Sequence, residues 1–289
     1  MTQQPSSAGR LQGHDLSVGY GDRKIIDNLE VVVPDGSFTV IVGPNACGKS
    51  TLLRSLSRLL DPKAGEVHLD GANVQALGGK EFAREVGLLP QQSAAPEGIT
   101  VIDLVSRGRF PYQKMFRQWT DEDQSAVDFA LQVTRLTDLS TRGVEALSGG
   151  QRQRVWIAMA LAQKTPILLL DEPTTYLDLA HQLEVLELCT TLYQDGTTLV
   201  AVLHDLNQAA RYATHIIAMR SGEIIDQGPP AEIVTEELVE RVFGVRSRVI
   251  QDPETGTPMV IPLAEGAVSF DAVAGDTANL RATADSPKS

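Results

Sequence analysis

The chain has 289 residues, 42% of them hydrophobic, enough for one large domain or two modest ones around a real core. A formal net charge of −12 argues against a nucleic-acid scaffold, because phosphate backbones need clustered cations. No apolar run spans a bilayer, the polar start MTQQPSSAGR lacks a secretory h-region, and Cys47 and Cys189 fit no disulfide or metal framework, so a reducing, cytoplasmic setting is expected.

In chain order, residues 1–10 read as a disordered Gln/Ser/Pro tail. Gly13 to Val33 predicts strands around the turn Gly19-Tyr20-Gly21-Asp22, and Gly65 to Leu69 another strand closed by Asp70-Gly71. Between them, Ser37 to Val42 (SFTVIV) predicts a short buried strand and Lys49 to Leu60 a helix with leucines at 52, 53, 56, 59 and 60. The connecting run Gly43-Pro44-Asn45-Ala46-Cys47-Gly48-Lys49-Ser50 fits G-x-x-x-x-G-K-[ST]. In that pattern glycines let backbone N–H groups converge on phosphates at a helix start, the lysine neutralises β and γ oxygens, and the hydroxyl is offered to Mg²⁺.

From Glu97 to Arg142 the texture turns helical: Val101 to Arg107 and Glu122 to Leu136 predict amphipathic helices joined by the aromatic-basic segment Phe110 to Trp119. Leu147-Ser148-Gly149-Gly150-Gln151 precedes a helix predicted from about Arg152 to Ala162. By itself Ser-Gly-Gly reads as a linker or an N-cap. Its hydroxyl and backbone donors at a positive helix end would grip a phosphate only if a second subunit presented them, which implies a head-to-tail dimer. The buried strand Ile167 to Leu170 delivers Asp171 and Glu172 to a sheet edge, where one carboxylate can orient Mg²⁺ and the other polarise an attacking water. A helix from Ala180 to Gln194 and a strand from Thr198 to Leu203 restore an α/β rhythm, and beyond about Leu263 an Ala/Gly/Asp/Ser-rich segment, residues 264–289, reads as a disordered tail.

These motifs, in this order over roughly residues 12 to 260, resemble the ATP-binding subunits of ABC transporters. The resemblance implies an α/β P-loop NTPase (RecA-like) core with an antiparallel β subdomain and an inserted α-helical subdomain at about 97–142, all within 11–263. Carried residue by residue, it implies that Tyr20 stacks on adenine and that Gly43 to Thr51 cradle ATP. Gln91 would sense Mg²⁺ and water, and Ser148, Gly149, Gly150 and Gln151 would act in trans. Asp171 and Ser50 would hold Mg²⁺. Glu172 and His204 would be catalytic, and Asp178 would communicate across the dimer. From the residues alone, Tyr20 is also an ordinary aromatic at a strand turn, Gln91 a solvated loop amide, His204 a satisfied histidine at a strand end and Asp178 a helix N-cap.

Gly108-Arg109-Phe110-Pro111-Tyr112, Phe116-Arg117-Gln118-Trp119, and Asp171 to Asp178 followed by His181-Gln182 are similar to the iron-siderophore, haem and vitamin B12 uptake branch. Ala46 departs from it, standing where the branch often has Gly. The resemblance thus implies a homodimer of ATPase subunits at the cytoplasmic face of the membrane. Permease subunits and, indirectly, a solute-binding protein would be its partners, ATP and Mg²⁺ its cofactors, and Fe³⁺-siderophore its substrate. Haem, cobalamin or another metal chelate are alternatives. A soluble ABC ATPase of DNA repair or ribosomes is a rival; only about fifty-five residues separate Gln91 from Leu147, too few for long coiled coils, and the chain carries one such phosphate loop. A nucleotide-binding regulator without turnover is the third reading, opposed by the presence of Glu172 and His204.

Overall fold

The computed structural model describes residues 9–91, 95–113, 119–175 and 177–263. In chain order the strands and α-helices are β1 (Leu11–Tyr20), β2 (Arg23–Val33), β3 (Phe38–Val42), α1 (Lys49–Leu56), β4 (Ala64–Leu69), β5 (Ala72–Asn73), α2 (Gly79–Glu85), β6 (Val86–Leu89), α3 (Val101–Ser106), α4 (Asp121–Val133) and α5 (Gly149–Ala162). They continue as β7 (Ile167–Asp171), α6 (Leu179–Gln194), β8 (Thr198–Val202), α7 (Leu206–Tyr212), β9 (His215–Arg220), β10 (Glu223–Gly228), α8 (Pro230–Ile233), α9 (Glu236–Phe243), β11 (Ser247–Gln251) and β12 (Pro258–Pro262).

The central sheet has the order β10-β9-β3-β8-β7-β6, parallel except for β10. Every residue of β3 (FTVIV), β7 (ILLLD) and β8 (TLVAV) is buried, as expected of parallel strands covered on both faces. Because successive side chains alternate, each strand feeds two cores: Phe38, Val40, Leu168, Leu170, Leu199 and Ala201 face one, and Ile41, Ile167, Leu169, Val200 and Val202 the other. The first core is closed by α3 to α7 and α9. The second is closed by α1 and by an antiparallel sheet of order β2-β1-β4-β5. Leu52, Leu53 and Leu56 on α1 are fully buried there, each contributing roughly 1.5–3 kcal/mol of transfer free energy.

Several expected boundaries shift. Helix α1 ends at Leu56, not Leu60: Ser57 Oγ donates to the Arg54 carbonyl, Arg58 turns left-handed (φ 63°), and Leu59 is 62% exposed rather than on the core face. Helix α4 begins at Asp121, where Thr120 and Asp123 form a capping box, and stops at Val133 instead of Leu136 because Arg135 turns left-handed (φ 55°). Helix α5 starts at Gly149, three residues before the expected Arg152, so both glycines lie in its first turn. Arg10, expected in the tail 1–10, belongs to the folded body instead: its guanidinium bonds Asp70 and Glu85, and its backbone N–H donates to Asp35. The expected tail 264–289 and residues 1–8 lie outside the described residues, as do Phe116 to Gln118 and Tyr176.

The helical region at 97–142 holds α3 and α4, joined to its exit by the Thr100–Gly143 bridge, and both helices pack on α5. The helical layer therefore includes the helix that follows Ser148. No helix among the described residues is long and apolar enough to cross a membrane.

Candidate active site

The phosphate loop leaves the carboxyl end of β3 and enters α1. Gly43 (φ 152°) and Gly48 (φ 109°) take conformations that L side chains rarely adopt, and a Cβ on Gly43 would stand 2.1 Å from the Met219 carbonyl. Ala46 is also left-handed at φ 60°, a conformation that costs a non-glycine residue about 1–2 kcal/mol. Lys49 is buried, and its Nζ donates to the carbonyls of Gly43 (2.8 Å) and Pro44 (2.9 Å), which aims the ammonium inside the loop. Cys47 packs behind the loop in the second core, where burial pushes its thiol pKa up.

One strand removed from β3, β7 ends in Asp171, only 2% exposed. Ser50 Oγ donates to its Oδ1 (2.7 Å), and Arg54 approaches Oδ2 at 3.4 Å. Burial raises the Asp171 pKa despite those two partners, so the fold holds a carboxylate short of cationic compensation. Two hard oxygen donors side by side, next to a lysine, suit a small dication that takes few protein ligands and completes its shell with phosphate oxygens. No cluster of three or more His, Cys, Asp or Glu suited to a metal occurs among the described residues.

The chain then turns sharply. Glu172 is left-handed (φ 56°), so it does not simply continue the alternation of the strand. Its Oε2 accepts from Gln91 Nε2 (2.6 Å) and Thr175 Oγ1 (3.1 Å), while Oε1 faces His204 Nε2 at 2.9 Å. Burial alone would raise the Glu172 pKa, but the hydrogen bonds from His204, Thr175 and Gln91 outweigh it and hold the carboxyl below its ordinary range. His204 itself is exposed, at the start of the turn that Asp205 caps for α7.

Asn45, Ala46, Gly48, Lys49, Ser50, Thr51, Gln91, Glu172 and His204 line one cavity of about 420 Å³. Arg23 and Ile25 line it as well, and sequence reasoning missed both: they follow the Gly21-Asp22 turn on β2, and only the register of the hairpin brings them to the loop. Tyr20 is not among the described lining residues, and its hydroxyl accepts a hydrogen bond from Arg54 Nη1 (3.1 Å). Gly43, Pro44 and Cys47 support the loop from behind rather than lining the cavity.

Ser148, Gly149, Gly150 and Gln151 stand apart from this cavity. Ser148 and Gln151 form a capping box: Ser148 Oγ accepts from the Gln151 N–H (3.2 Å), and Gln151 Oε1 accepts from the Ser148 N–H (3.1 Å). Gly150 lies against His181, and a Cβ there would come within 3.2 Å of the imidazole. Asp178 caps α6, accepting from the His181 N–H (3.0 Å) and pairing with its Nδ1 (2.6 Å). Gln153 on α5 donates to the Pro173 carbonyl (3.1 Å), tying that helix to the turn after Glu172, a link the sequence did not signal.

A glycine-rich loop that aims a lysine inward, a carboxylate hydrogen-bonded to the loop serine, and an ionised glutamate beside a histidine define a P-loop nucleoside triphosphatase. The chain belongs to the ABC transporter family, whose model, described as ABC transporter, matches residues 26–175. It is similar to the ferric enterobactin transport ATP-binding protein FepC of Escherichia coli (strain K12), at 56% identity over 91% of this chain and 97% of that protein. Among solved structures it is similar to a metal-chelate type ABC transporter in an inward-facing conformation, with TM-score 0.75, 29% identity, and coverage of 88% of this chain and 97% of that one. It is also similar to a dimeric bacterial ABC transporter cassette, with TM-score 0.68, 30% identity, and coverage of 76% and 98%. The chain is thus an ATP-binding, ATP-hydrolysing subunit of this family.

Proposed function

We propose that this subunit powers the import of Fe³⁺-siderophore complexes, working as a homodimer on the cytoplasmic face of the membrane against permease subunits that receive cargo from a solute-binding protein. The carrying observation is the convergence of Gln91, Thr175 and His204 on Glu172 at the mouth of the phosphate-loop cavity. The named transport of ferric enterobactin by a relative at 56% identity supports the cargo class. The dimeric cassette supports the assembly.

In this reading Lys49 binds the β and γ oxygens of ATP, exchanging its loop carbonyls for them. Ser50 and Asp171, with Gln91, would hold Mg²⁺, which would supply neutralisation of charge on the transferring phosphoryl group. The depressed pKa keeps Glu172 ionised at neutral pH, so its carboxylate is a ready acceptor for the proton of the attacking water. His204 Nε2 steadies that carboxylate and reaches the γ-phosphate on closure. Tyr20, beside Arg54, takes the adenine side. Ser148 to Gln151 of the second copy close over the γ-phosphate, Asp178 carries the contact between copies, and the combined positive potential offsets the repulsion of two ATP molecules.

The test is ATP hydrolysis by the subunit reconstituted with its permease and binding protein in vesicles. Binding protein loaded with an Fe³⁺-siderophore should stimulate turnover above the ligand-free level. Stimulation by haem or cobalamin in its place would reassign the cargo, and no dependence on the permease would remove the transport role.

A further inference from the structure

The His204–Glu172 contact is one side of a closed circuit. From Glu172 the chain runs through a turn held by the Thr175 N–H on the Glu172 carbonyl (3.3 Å) and the Leu177 N–H on the Thr174 carbonyl (3.4 Å). The Leu177 carbonyl, next to Asp178, accepts from Gln182 Nε2 (3.0 Å) on α6. Gln182 Oε1 in turn accepts from Gln208 Nε2 (2.8 Å) on α7. Gln208 lies in the first turn of α7, where Asp205 Oδ1 accepts from its N–H (3.0 Å) and from that of Asn207 (2.8 Å), and Asp205 directly follows His204. Both glutamines are half-buried, so each bond is partly shielded from water.

We propose that Gln182 and Gln208 are positioning residues for ATP hydrolysis: their amide bridge braces α7 against α6, and so fixes His204 relative to Glu172 and to the loop carrying Asp178. His204 is exposed, lies 2.9 Å from Glu172 and stands just before α7, a seven-residue helix seated by buried Ala209 and Ala210 and tied to β12 by Asn207, whose Oδ1 accepts from the Val260 N–H (2.7 Å) and whose Nδ2 donates to the Val260 carbonyl (3.1 Å). Gln208 adds a directional tie to α6, and Gln182 uses its other end to hold the Leu177 carbonyl. A displacement of the Asp178 loop is therefore transmitted to α7 through two hydrogen bonds as well as through the core that the two helices share. The inference rests on the catalytic reading of Glu172 and His204 given above.

The test is a double-mutant cycle on the full chain assembled with its permease, reading kcat, KM for ATP and thermal stability together. Gln208→Leu and Gln182→Leu should each lower kcat about five- to tenfold at unchanged KM. The double variant should lose no more than the worse single one, and Gln182→Lys with Gln208→Glu, which rebuilds the bridge as an ion pair, should recover most of the rate that Gln182→Lys alone loses. Additive losses, an unchanged kcat, or a fall that follows melting temperature through all variants would overturn the proposal. His204→Ala separates the two levels. A full rate in that variant removes the catalytic reading and the brace with it, whereas a lost rate with additive glutamine effects removes only the brace.

Discussion

The Glu172 turn and the Ser148 corner are both sharp exits into loops, yet they are built in opposite ways. Around Glu172, groups from three separate stretches of chain, Gln91, Thr175 and His204, converge on one carboxylate inside a cavity. At Ser148 the side chains of Ser148 and Gln151 close a capping box, with exposed Gly149 and half-buried Gly150 on the helix start and Gly150 beside His181. The first region brings together within one chain the groups proposed for hydrolysis. The second is a self-capped corner outside its own chain's cavity, as the proposed presentation by a second copy requires.

That contrast can be broken at either side, and the largest effect is expected at Glu172. Glu172→Gln keeps the shape and the hydrogen bond to Thr175 but removes the proton acceptor, so kcat should fall by about 10²- to 10⁴-fold while ATP affinity is retained; undiminished hydrolysis would take Glu172 out of the role. Next comes Lys49→Ala, which removes the ammonium aimed into the loop and should weaken nucleotide binding roughly a hundredfold, read by titration calorimetry. Ser148→Ala should leave the ATP affinity of the single chain untouched, cost about 1 kcal/mol of stability through the lost cap, and weaken ATP-driven pairing about tenfold. A matching loss of ATP affinity in the single chain would erase the distinction between the two regions.

The smallest effect sharpens the comparison from the stability side. Because burial raises the Asp171 pKa, its ionised form opposes folding above that pKa, and the opposition disappears as pH falls through it. Asp171→Asn should therefore raise the nucleotide-free melting temperature at neutral pH, at roughly 2–4 °C for each kcal/mol relieved, with the gain shrinking on acidification. The same variant should lose the extra stabilisation that Mg²⁺ adds to ATP. Glu172 has the opposite sign: its depressed pKa contributes stability that is present above the unfolded value and lost as pH falls through the folded one. Glu172→Gln should flatten that acid-side loss in a melting series, and an unchanged acid limb would contradict the assigned bonds.

The parts legible in the sequence are those where a buried strand ends in a loop with fixed chemistry. The phosphate loop after Val42, the carboxylates after Leu170 and the histidine after Leu203 follow from runs of five or so apolar residues ending at a polar signal. Helix ends were less legible because leucine spacing continues past the true stop: Leu59 keeps the periodicity, yet the left-handed Arg58 turns it outward. Arg109 enters the sequence reading only through the Gly108 to Tyr112 resemblance, yet it is 1% exposed, bonds Asp123 (2.9 Å) and the Ala162 carbonyl (3.0 Å), and stacks on Tyr112. A buried ion pair of that kind depends on partners 14 and 53 residues away, and no local pattern announces it. Arg23 and Ile25 were missed for the same reason, since hairpin register rather than residue type carries them to the cavity.

The most direct measurement is sedimentation of the Glu172→Gln chain with and without Mg·ATP. The proposed sandwich, with the Ser148 corner of one copy closing the phosphate-loop cavity of the other, predicts a shift from monomer to dimer with one ATP retained per chain, reversed by Ser148→Arg, which places a bulky cation at the corner. A chain that stays monomeric at saturating Mg·ATP, even in the presence of its permease subunits, would contradict the account.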